Sequence, residues 1–344
     1  MTPGDSTSAS TRPLLDWLLA RYPDTPKKRA KQWITAGRVS VNGVILRQPN
    51  QPIPDPKDAL ELLDRHAIAL DCGRDGWQIH PRVAILYLDS ALAVVNKGPG
   101  LLSVPAEPDD LSALSILDDF LAGKLRAYDR GVDGRGYSLP PAYRRLKPLP
   151  VHRLDQYTSG VFCMAMNPAA RQNLIDQLKV HTMRREYVAY VEGRPPKPQG
   201  TWRNWLKLSD DQLRQFIVSE RDAKASPDET QEAITHYEVI AEFSSAGNRH
   251  PITKLRLRLE TGRKHQIRAQ AAHAGLPLVG DRTYHPRYQS DAPKSARIDF
   301  PRQALHAEVL GLDHPDKPAT RMTWTAALPK DLRQLEAKLR EERT

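Results

Sequence analysis

The order of the predicted strands constrains this fold more than any other feature of the sequence. Short apolar runs typical of buried strands cover 91–95 and 161–166, and further strands are predicted at 187–191 and 254–260. These segments do not alternate with helices as they would in a doubly wound sheet. The pattern therefore predicts an α+β domain around a mixed, largely antiparallel central sheet flanked by helices.

Local signals add detail to this sheet. In the strand at 254–260, three leucines alternate with three cations, which predicts one buried and one basic face. Asn167 followed by Pro168 predicts the cap and first turn of a helix running toward His181.

The chain is long enough for about two domains. Its 344 residues exceed a usual single domain, and two glycines and a proline between 71 and 81 indicate a boundary. The basic, glycine-containing stretch 123–150 is predicted as a long surface loop, either a disordered insertion or an arm that clamps a substrate. The predicted division is a disordered lead at 1–11, a small unit at 12–72, a larger domain at 81–330 and a solvated helix at 331–344.

The small unit reads as two helices followed by a hairpin. An apolar stripe of leucines predicts a first helix that ends before Pro23, and a second, basic helix is capped by Gly37. The stretch RVSVNGVIL then contains an Asn-Gly turn between alternating valines, a strong hairpin signal. The expected result is a compact α/β module with cations on one exposed helix face.

Positive charge is concentrated in this module. The chain has a net charge of +10, and between Lys27 and Arg47 there are six basic residues and no acidic one. Such a patch favours a polyanionic partner over an evenly charged surface, although solvated lysines alone would also explain it. The candidate RNA-binding cations here are Lys27, Lys28, Arg29, Lys31 and Arg38.

Several classes of protein lack their usual signatures. No GxGxxG after a strand, GxxxxGK or GxSxG motif occurs, which argues against dinucleotide, nucleoside-triphosphate and serine-hydrolase chemistry. Two distant cysteines, Cys72 and Cys163, and no histidine cluster support neither a disulfide framework nor a metal site. No stretch has the length of a membrane helix, so we expect a cytoplasmic protein without a metal.

Two polar segments are the candidates for chemistry. VHRLDQYTSGVFCMA presents Asp155 in a polar turn before a buried strand, where an ordinary turn aspartate would bond its own backbone. LETGRKHQIRAQAAHAG leads from the basic-faced strand into a helix, with His265 and Arg268 three apart on one predicted helical face. His265 is either a packed or capping histidine or a residue that contacts the substrate.

These segments resemble the RluA group of pseudouridine synthases. HRLDxxTSG is met by residues 152–160, TGRxHQIR by 261–268 and GxPLxGDxxY by 275–284. VVNKGPGLLSVP, REYVAYVEG and QALHA match further family segments in order, from about residue 85 to 312. About fifty residues of the small unit that begins at Arg12, including GRVSVNG, resemble the αL RNA-binding module that such enzymes often carry.

The resemblance implies a role for each matched residue. Asp155 would be the catalytic carboxylate, Tyr187 the tyrosine that stacks on the base, and Arg268 the basic partner of the carboxylate. Arg153 would help hold the RNA where the target base has left the stack. His265, whose role is left open above, is a further candidate for contact with the RNA. We therefore expect that the protein needs neither a metal nor an organic cofactor.

The sequence departs from the family pattern at three positions. Gln156 and Tyr157 stand where Arg or Lys and then Asp are commonest, and Gly98 stands where the opening motif usually has Pro. None of them is the proposed carboxylate, so they concern substrate choice more than activity.

The implied reaction is the isomerisation of uridine in structured RNA. Asp155 could attack the base, attack the anomeric carbon or remove a sugar proton, and the sequence leaves these routes open.

Large-subunit ribosomal RNA is the expected substrate, with transfer RNA as the alternative, and we expect a monomer. A non-catalytic RNA-binding or ribosome-assembly factor is a rival that the presence of Asp155 disfavours. An RNA methyltransferase would need a glycine-rich nucleotide loop, which is not found.

Overall fold

The computed structural model describes residues 11–35, 38–42, 44–56, 59–62, 70–71, 76–125, 143–144, 146–243, 251–289, 298, 300–317 and 319–341. Four sequence predictions fall wholly or partly outside these residues. They are the lead at 1–11, the cap at Gly37, part of the boundary at 71–81, and most of the loop at 123–150.

The N-terminal module contains the predicted helix, basic helix and hairpin in that order, together with three short strands that were not predicted. Its elements are β1 (Arg12–Pro13), α1 (Leu14–Arg21), α2 (Lys27–Thr35), β2 (Val39–Val41), β3 (Val44–Leu46), β4 (Pro52–Ile53) and β5 (Leu60–Leu62). The hairpin of β2 and β3 is confirmed, and β5 pairs with the other edge of β2. Asn42 adopts a left-handed φ of 52°, which Asn tolerates better than most residues.

The module has an apolar core of its own. Leu14, Leu18, Ala30 and Ile34 are fully buried between α1 and α2. The four cations of the second helix, Lys27, Lys28, Arg29 and Lys31, are exposed and form the α2 cation cluster. Arg38 is half-buried, with its guanidinium 5.4 Å from the centre of the Trp33 ring.

A 13-stranded sheet forms the larger domain. Its strands are β6 (Leu70–Asp71), β7 (Trp77–His80), β8 (Val83–Leu88), β9 (Leu92–Lys97), β10 (Leu149–Pro150), β11 (Ser159–Ala165), β12 (Arg184–Glu192), β13 (Gln199–Leu208), β14 (Gln215–Val218), β15 (Thr230–Phe243), β16 (Ile252–Leu259), β17 (Leu305–Asp313) and β18 (Arg321–Thr325). The main path runs β14-β13-β15-β16-β12-β17-β11-β9-β8-β6. Neighbouring strands are antiparallel except β11 and β17, which run parallel at their first residues. The predicted α+β fold with a mixed, largely antiparallel sheet is confirmed.

Helices flank this sheet. They are α3 (Ala113–Leu121), α4 (Pro168–Lys179), α5 (Glu220–Ala225), α6 (Gln266–His273), α7 (Pro286–Gln289) and α8 (Lys330–Glu341). The predicted start of α4 is confirmed, because Asn167 Oδ1 accepts the backbone N–H of Ala170 at 2.8 Å and Pro168 is the first helical residue. No helix of the part that the structure describes is long and apolar enough to cross a membrane.

The strand β16 has the predicted buried face, but its other face is less basic than the sequence indicates. Leu255 and Leu257 are fully buried. Lys254 pairs with a glutamate of α8 at 2.7 Å, and Arg256 pairs with a glutamate of β15 at 3.0 Å. Most of the charge on this face is therefore compensated inside the protein.

The prediction that the C-terminal helix is solvated is wrong. Helix α8 buries Leu332, Leu335 and Leu339 against an apolar cluster that includes Val188 and Tyr190 of β12. These leucines, three and four residues apart, form one apolar stripe, and its burial offsets the polar character of the rest of the helix. The helix is therefore part of the larger domain's core.

Candidate active site

Asp155 lies in the short loop that leads into β11. The loop closes as a turn, with the backbone N–H of Thr158 donating to the carbonyl of Asp155 at 3.0 Å. Gly160 follows with a φ of 121°, and a Cβ there would overlap the carbonyl oxygen of Ala307. Because β11 and β17 approach each other closely at Gly160, the end of the Asp155 loop is held in position against the sheet.

Buried cations fix the backbone of this loop. Lys97, fully buried at the end of β9, donates from Nζ to the carbonyl of Gln156 at 3.0 Å and to two further carbonyls. Arg302 donates to the carbonyl of Tyr157 at 3.1 Å, and its Nε and Nη2 bind the carboxylate of Asp331 at 2.7 and 3.1 Å. Burial lowers the pKa of Lys97 to about 7. The side chain of Asp155 is thus carried on a backbone held from two sides.

Arg268 of α6 contacts the Asp155 carboxylate. Its Nη1 is 3.2 Å from Asp155 Oδ2, while Nε and Nη2 bind both oxygens of Asp281 at 2.7 and 2.9 Å. Burial would lower the pKa of Arg268, but its hydrogen bonds and charge contacts with Asp281 and Asp155 offset this and raise it. Burial would likewise raise the pKa of Asp281, but Arg268 holds it below its ordinary value. A bidentate pair therefore orients the cation that touches Asp155.

The prediction that His265 and Arg268 share a helical face is wrong. His265 precedes α6 and has a left-handed φ of 51°, so the helix begins at Gln266. Its Nε2 nevertheless lies 3.9 Å from Asp155 Oδ2, and its Nδ1 lies 3.1 Å from the Tyr284 hydroxyl. Burial lowers the pKa of His265 to about 4, which favours the neutral ring at pH 7.

Tyr187 and Asp155 line the same cavity, whose volume is about 690 Å³. Tyr187 lies on β12 with 7% of its surface exposed, and burial raises its pKa to about 12. A neutral aromatic ring is therefore available beside the carboxylate. His152, at the start of the loop, accepts the backbone N–H of Cys163 at 3.2 Å, and desolvation lowers its pKa to about 3.

A second cavity of about 480 Å³ adjoins the first at Asp155. Arg153, which is exposed, lines both cavities, as do His265 and Arg268. The half-exposed ring of Tyr157 lines the second. The structure thus brings together the predicted residues Arg153, Asp155, Tyr187, His265 and Arg268. The α2 cation cluster and Arg38 are not among the residues that line either cavity.

Three residues of this site received no role from the sequence. Asp281, Lys97 and Arg302 are buried and ionisable, and each orients Arg268 or the Asp155 loop. Lys97 and Asp281 stand in segments that match the family, and Arg302 directly precedes the QALHA segment, but nothing in their local sequence predicts their partners. Among the described residues, no group of three or more His, Cys, Asp or Glu side chains could hold a metal ion.

Comparisons with known proteins show which family the chain belongs to. The family model for RNA pseudouridylate synthase matches residues 91–273, and the S4 domain model matches residues 12–59. The ribosomal large subunit pseudouridine synthase D of Pseudomonas aeruginosa is 31% identical over 337 residues, covering 96% of this chain and 92% of that protein. The uncharacterized RNA pseudouridine synthase YlyB of Bacillus subtilis is 32% identical, covering 92% of this chain and 91% of that protein.

A solved structure, human RNA pseudouridylate synthase domain containing 4, shares the fold. It superposes with a TM-score of 0.51 at 20% identity, covering 74% of this chain and 92% of that one. The resemblance to pseudouridine synthases that was inferred from the sequence is confirmed. The chain belongs to the RNA pseudouridylate synthase family and is an RNA pseudouridine synthase, an isomerase, with an N-terminal S4 RNA-binding domain.

Proposed function

We propose that this enzyme isomerises uridine in large-subunit ribosomal RNA with Asp155 as its catalytic carboxylate. One observation carries the assignment of the carboxylate. Asp155 faces a cavity that also contains the buried ring of Tyr187, and the oriented guanidinium of Arg268 contacts it at 3.2 Å. A carboxylate, an aromatic platform and a fixed cation are the groups that the reaction requires.

The reaction breaks the glycosidic bond, turns the uracil and rejoins it through carbon 5. It has no net redox change, so a positioned carboxylate can act as nucleophile or base without an energy source. Asp155 would do this while Arg268, held by Asp281, keeps the carboxylate in place. The choice between attack on the base, attack on the sugar and removal of a sugar proton stays open.

The target uridine has to leave its stack to reach Asp155. Flipping a nucleotide costs a few kcal/mol, which stacking and pocket contacts offset. Tyr187 would supply the stacking surface, since its phenol is neutral and it lines the cavity. Arg153 and His265 would contact the RNA around the opening.

Ribosomal RNA is proposed as the substrate for two reasons. Relatives at about 31% identity are named as large-subunit ribosomal enzymes, and the S4 domain presents the exposed α2 cation cluster to a polyanion. This substrate would also fit the predicted cytoplasmic location. That location, the predicted monomeric state and the role of Arg38 stay predictions.

The test is tritium release from RNA carrying 5-tritiated uridine. Asp155→Asn has nearly the same shape, so it should fold and bind RNA but release no tritium. Asp222→Asn, which changes an exposed carboxylate in the first turn of α5, is the matched control and should turn over normally. Release by Asp155→Asn at the wild-type rate would refute the assignment of the carboxylate.

A second measurement tests the substrate. Pseudouridines should be mapped in total RNA from cells with and without the gene. A missing pseudouridine in large-subunit ribosomal RNA is the expected result, and one missing only from transfer RNA would overturn the proposed substrate.

A further inference from the structure

Two adjacent arginines of β12 have opposite environments. Arg184 is half-exposed and binds both carboxylate oxygens of Glu186 at 2.8 and 3.0 Å. Arg185 has only 6% of its surface exposed, and no carboxylate of the described residues forms an ion pair with it. A buried guanidinium without a counter-ion is costly, because desolvation is not repaid by a nearby negative charge.

The hydrogen bonds of Arg185 also leave most of its capacity unused. Nη2 donates to the carbonyl of Glu260 at 2.8 Å, while Nε is buried and has no partner among the described residues. Gly262 leaves room for the guanidinium, since a Cβ at that position would overlap Nη1. Burial lowers the pKa of Arg185, the direction expected for a cation without compensation.

Arg185 lines the active-site cavity. It lies two residues before Tyr187 on β12, and both side chains face the space that also contains Asp155. Cations outnumber acids in the lining of this cavity. The lining cations are Arg153, Lys179, Arg185, Arg263, Lys264 and Arg268, and the lining acids are Asp155 and Glu232.

The chemistry of the substrate identifies the anion that such a cation needs. Uracil and ribose are uncharged at neutral pH, so the negative charge near a flipped uridine is on its flanking phosphates. The planar fork of Arg also matches phosphate oxygens in a bidentate manner. We propose that Arg185 binds a backbone phosphate next to the target uridine, forming a phosphate subsite in the wall of the active-site cavity. This inference rests on the proposed function, because it assumes that RNA enters this cavity.

A purely structural role for Arg185 makes a different prediction about stability. If the residue serves the RNA, Arg185→Met removes an uncompensated buried charge and should leave the melting temperature unchanged or higher. If the residue holds the fold, the same change should lower the melting temperature. Arg184→Met is the matched control, because it changes the adjacent, exposed arginine. A clear drop in melting temperature for Arg185→Met alone would overturn the proposal.

The phosphate is identified by a double-perturbation cycle. The probe is a short RNA spanning a mapped uridine, with a neutral methylphosphonate in place of the phosphate on its 5′ or its 3′ side. Arg185→Met should weaken binding of the all-phosphate RNA about 10- to 100-fold. At one of the two positions, the methylphosphonate should weaken binding to the wild-type chain by about the same factor. The same RNA should bind Arg185→Met about as tightly as the all-phosphate RNA does. Arg184→Met should keep the full methylphosphonate penalty.

Because binding is the readout, failure of this inference can be distinguished from failure of the proposed function. If both methylphosphonates weaken Arg185→Met as much as they weaken the wild-type chain, Arg185 does not bind either phosphate and the inference fails. Tritium release by the wild-type chain on the same RNA is scored separately. Absence of that release would count against the proposed function, whatever the binding cycle shows.

Discussion

Asp281 provides a sharp test of how the site is held together. Its carboxylate is fully buried and accepts hydrogen bonds from Arg268 Nε and Nη2 and from the backbone N–H groups of Thr283 and Tyr284. In Asp281→Asn, one oxygen becomes an amide NH₂ that faces an N–H of Arg268. The variant therefore removes a negative charge and places two donors opposite each other, with almost no change in volume.

The expected loss of stability follows from this environment. Removing one partner of a buried ion pair costs about 3–5 kcal/mol. We expect the lower end, about 3 kcal/mol, because the Asp155 carboxylate remains 3.2 Å from Arg268 and partly compensates its charge. For a domain of roughly this size, that corresponds to a melting temperature lower by about 6–12 °C.

Turnover should fall as well, because Arg268 loses the contact that fixes its plane. Single-turnover tritium release at saturating RNA should slow, while the affinity for RNA should change little. Glu220→Gln, which breaks an exposed pair with Lys224, is the control and should alter neither measurement. A wild-type melting temperature together with wild-type turnover for Asp281→Asn would refute the assigned role of Asp281.

Two further predictions concern charge. Burial lowers the pKa of His152 to about 3 and of His306 to about 4, so both favour the folded state above pH 6.5 and this stability is lost as pH falls below it. Below pH 6.5, each histidine should lower the free energy of unfolding by roughly 1.4 kcal/mol per pH unit. Equal free energies of unfolding at pH 7 and pH 5, measured with a denaturant, would contradict this prediction. Replacing the α2 cation cluster with glutamines should flatten the slope of log affinity against log salt by about 0.7–0.9 per lost phosphate contact. An unchanged slope would mean that the cluster is only a solvated face.

Much of the fold could be predicted because its signals are local. The cap at Asn167 and the alternation in β16 depend on neighbouring residues, and both were predicted correctly. The burial of α8 was missed, although its leucines form a visible stripe, because only the folded domain supplies the surface that covers them. The left-handed conformation of His265 was missed because His265 stands three residues before Arg268, a spacing that also fits one turn of helix.

The candidate site was predicted only as far as its motifs reach. Asp155, Tyr187 and Arg268 came from family segments, but the contact between Asp155 and Arg268 joins residues 113 positions apart. The bond from Arg302 to the carbonyl of Tyr157 spans 145 positions, and the bond from Lys97 to the carbonyl of Gln156 spans 59. No local pattern specifies such pairs, so the roles of Lys97 and Arg302 become visible only in the folded chain.

The partners of the buried cations separate those that build the site from the one proposed to bind RNA. Lys97 gives its three hydrogen bonds to backbone carbonyls, and Arg302 is divided between a carboxylate, a hydroxyl and carbonyls. Arg268 donates from Nε and Nη2 to Asp281 and from Nη1 to Asp155. A cation whose donors are already used cannot bind a substrate without breaking the structure that it holds. Arg185 donates one hydrogen bond, from Nη2 to the carbonyl of Glu260, and forms no ion pair with a carboxylate of the described residues. It can therefore bind a phosphate without breaking an ion pair that holds the site.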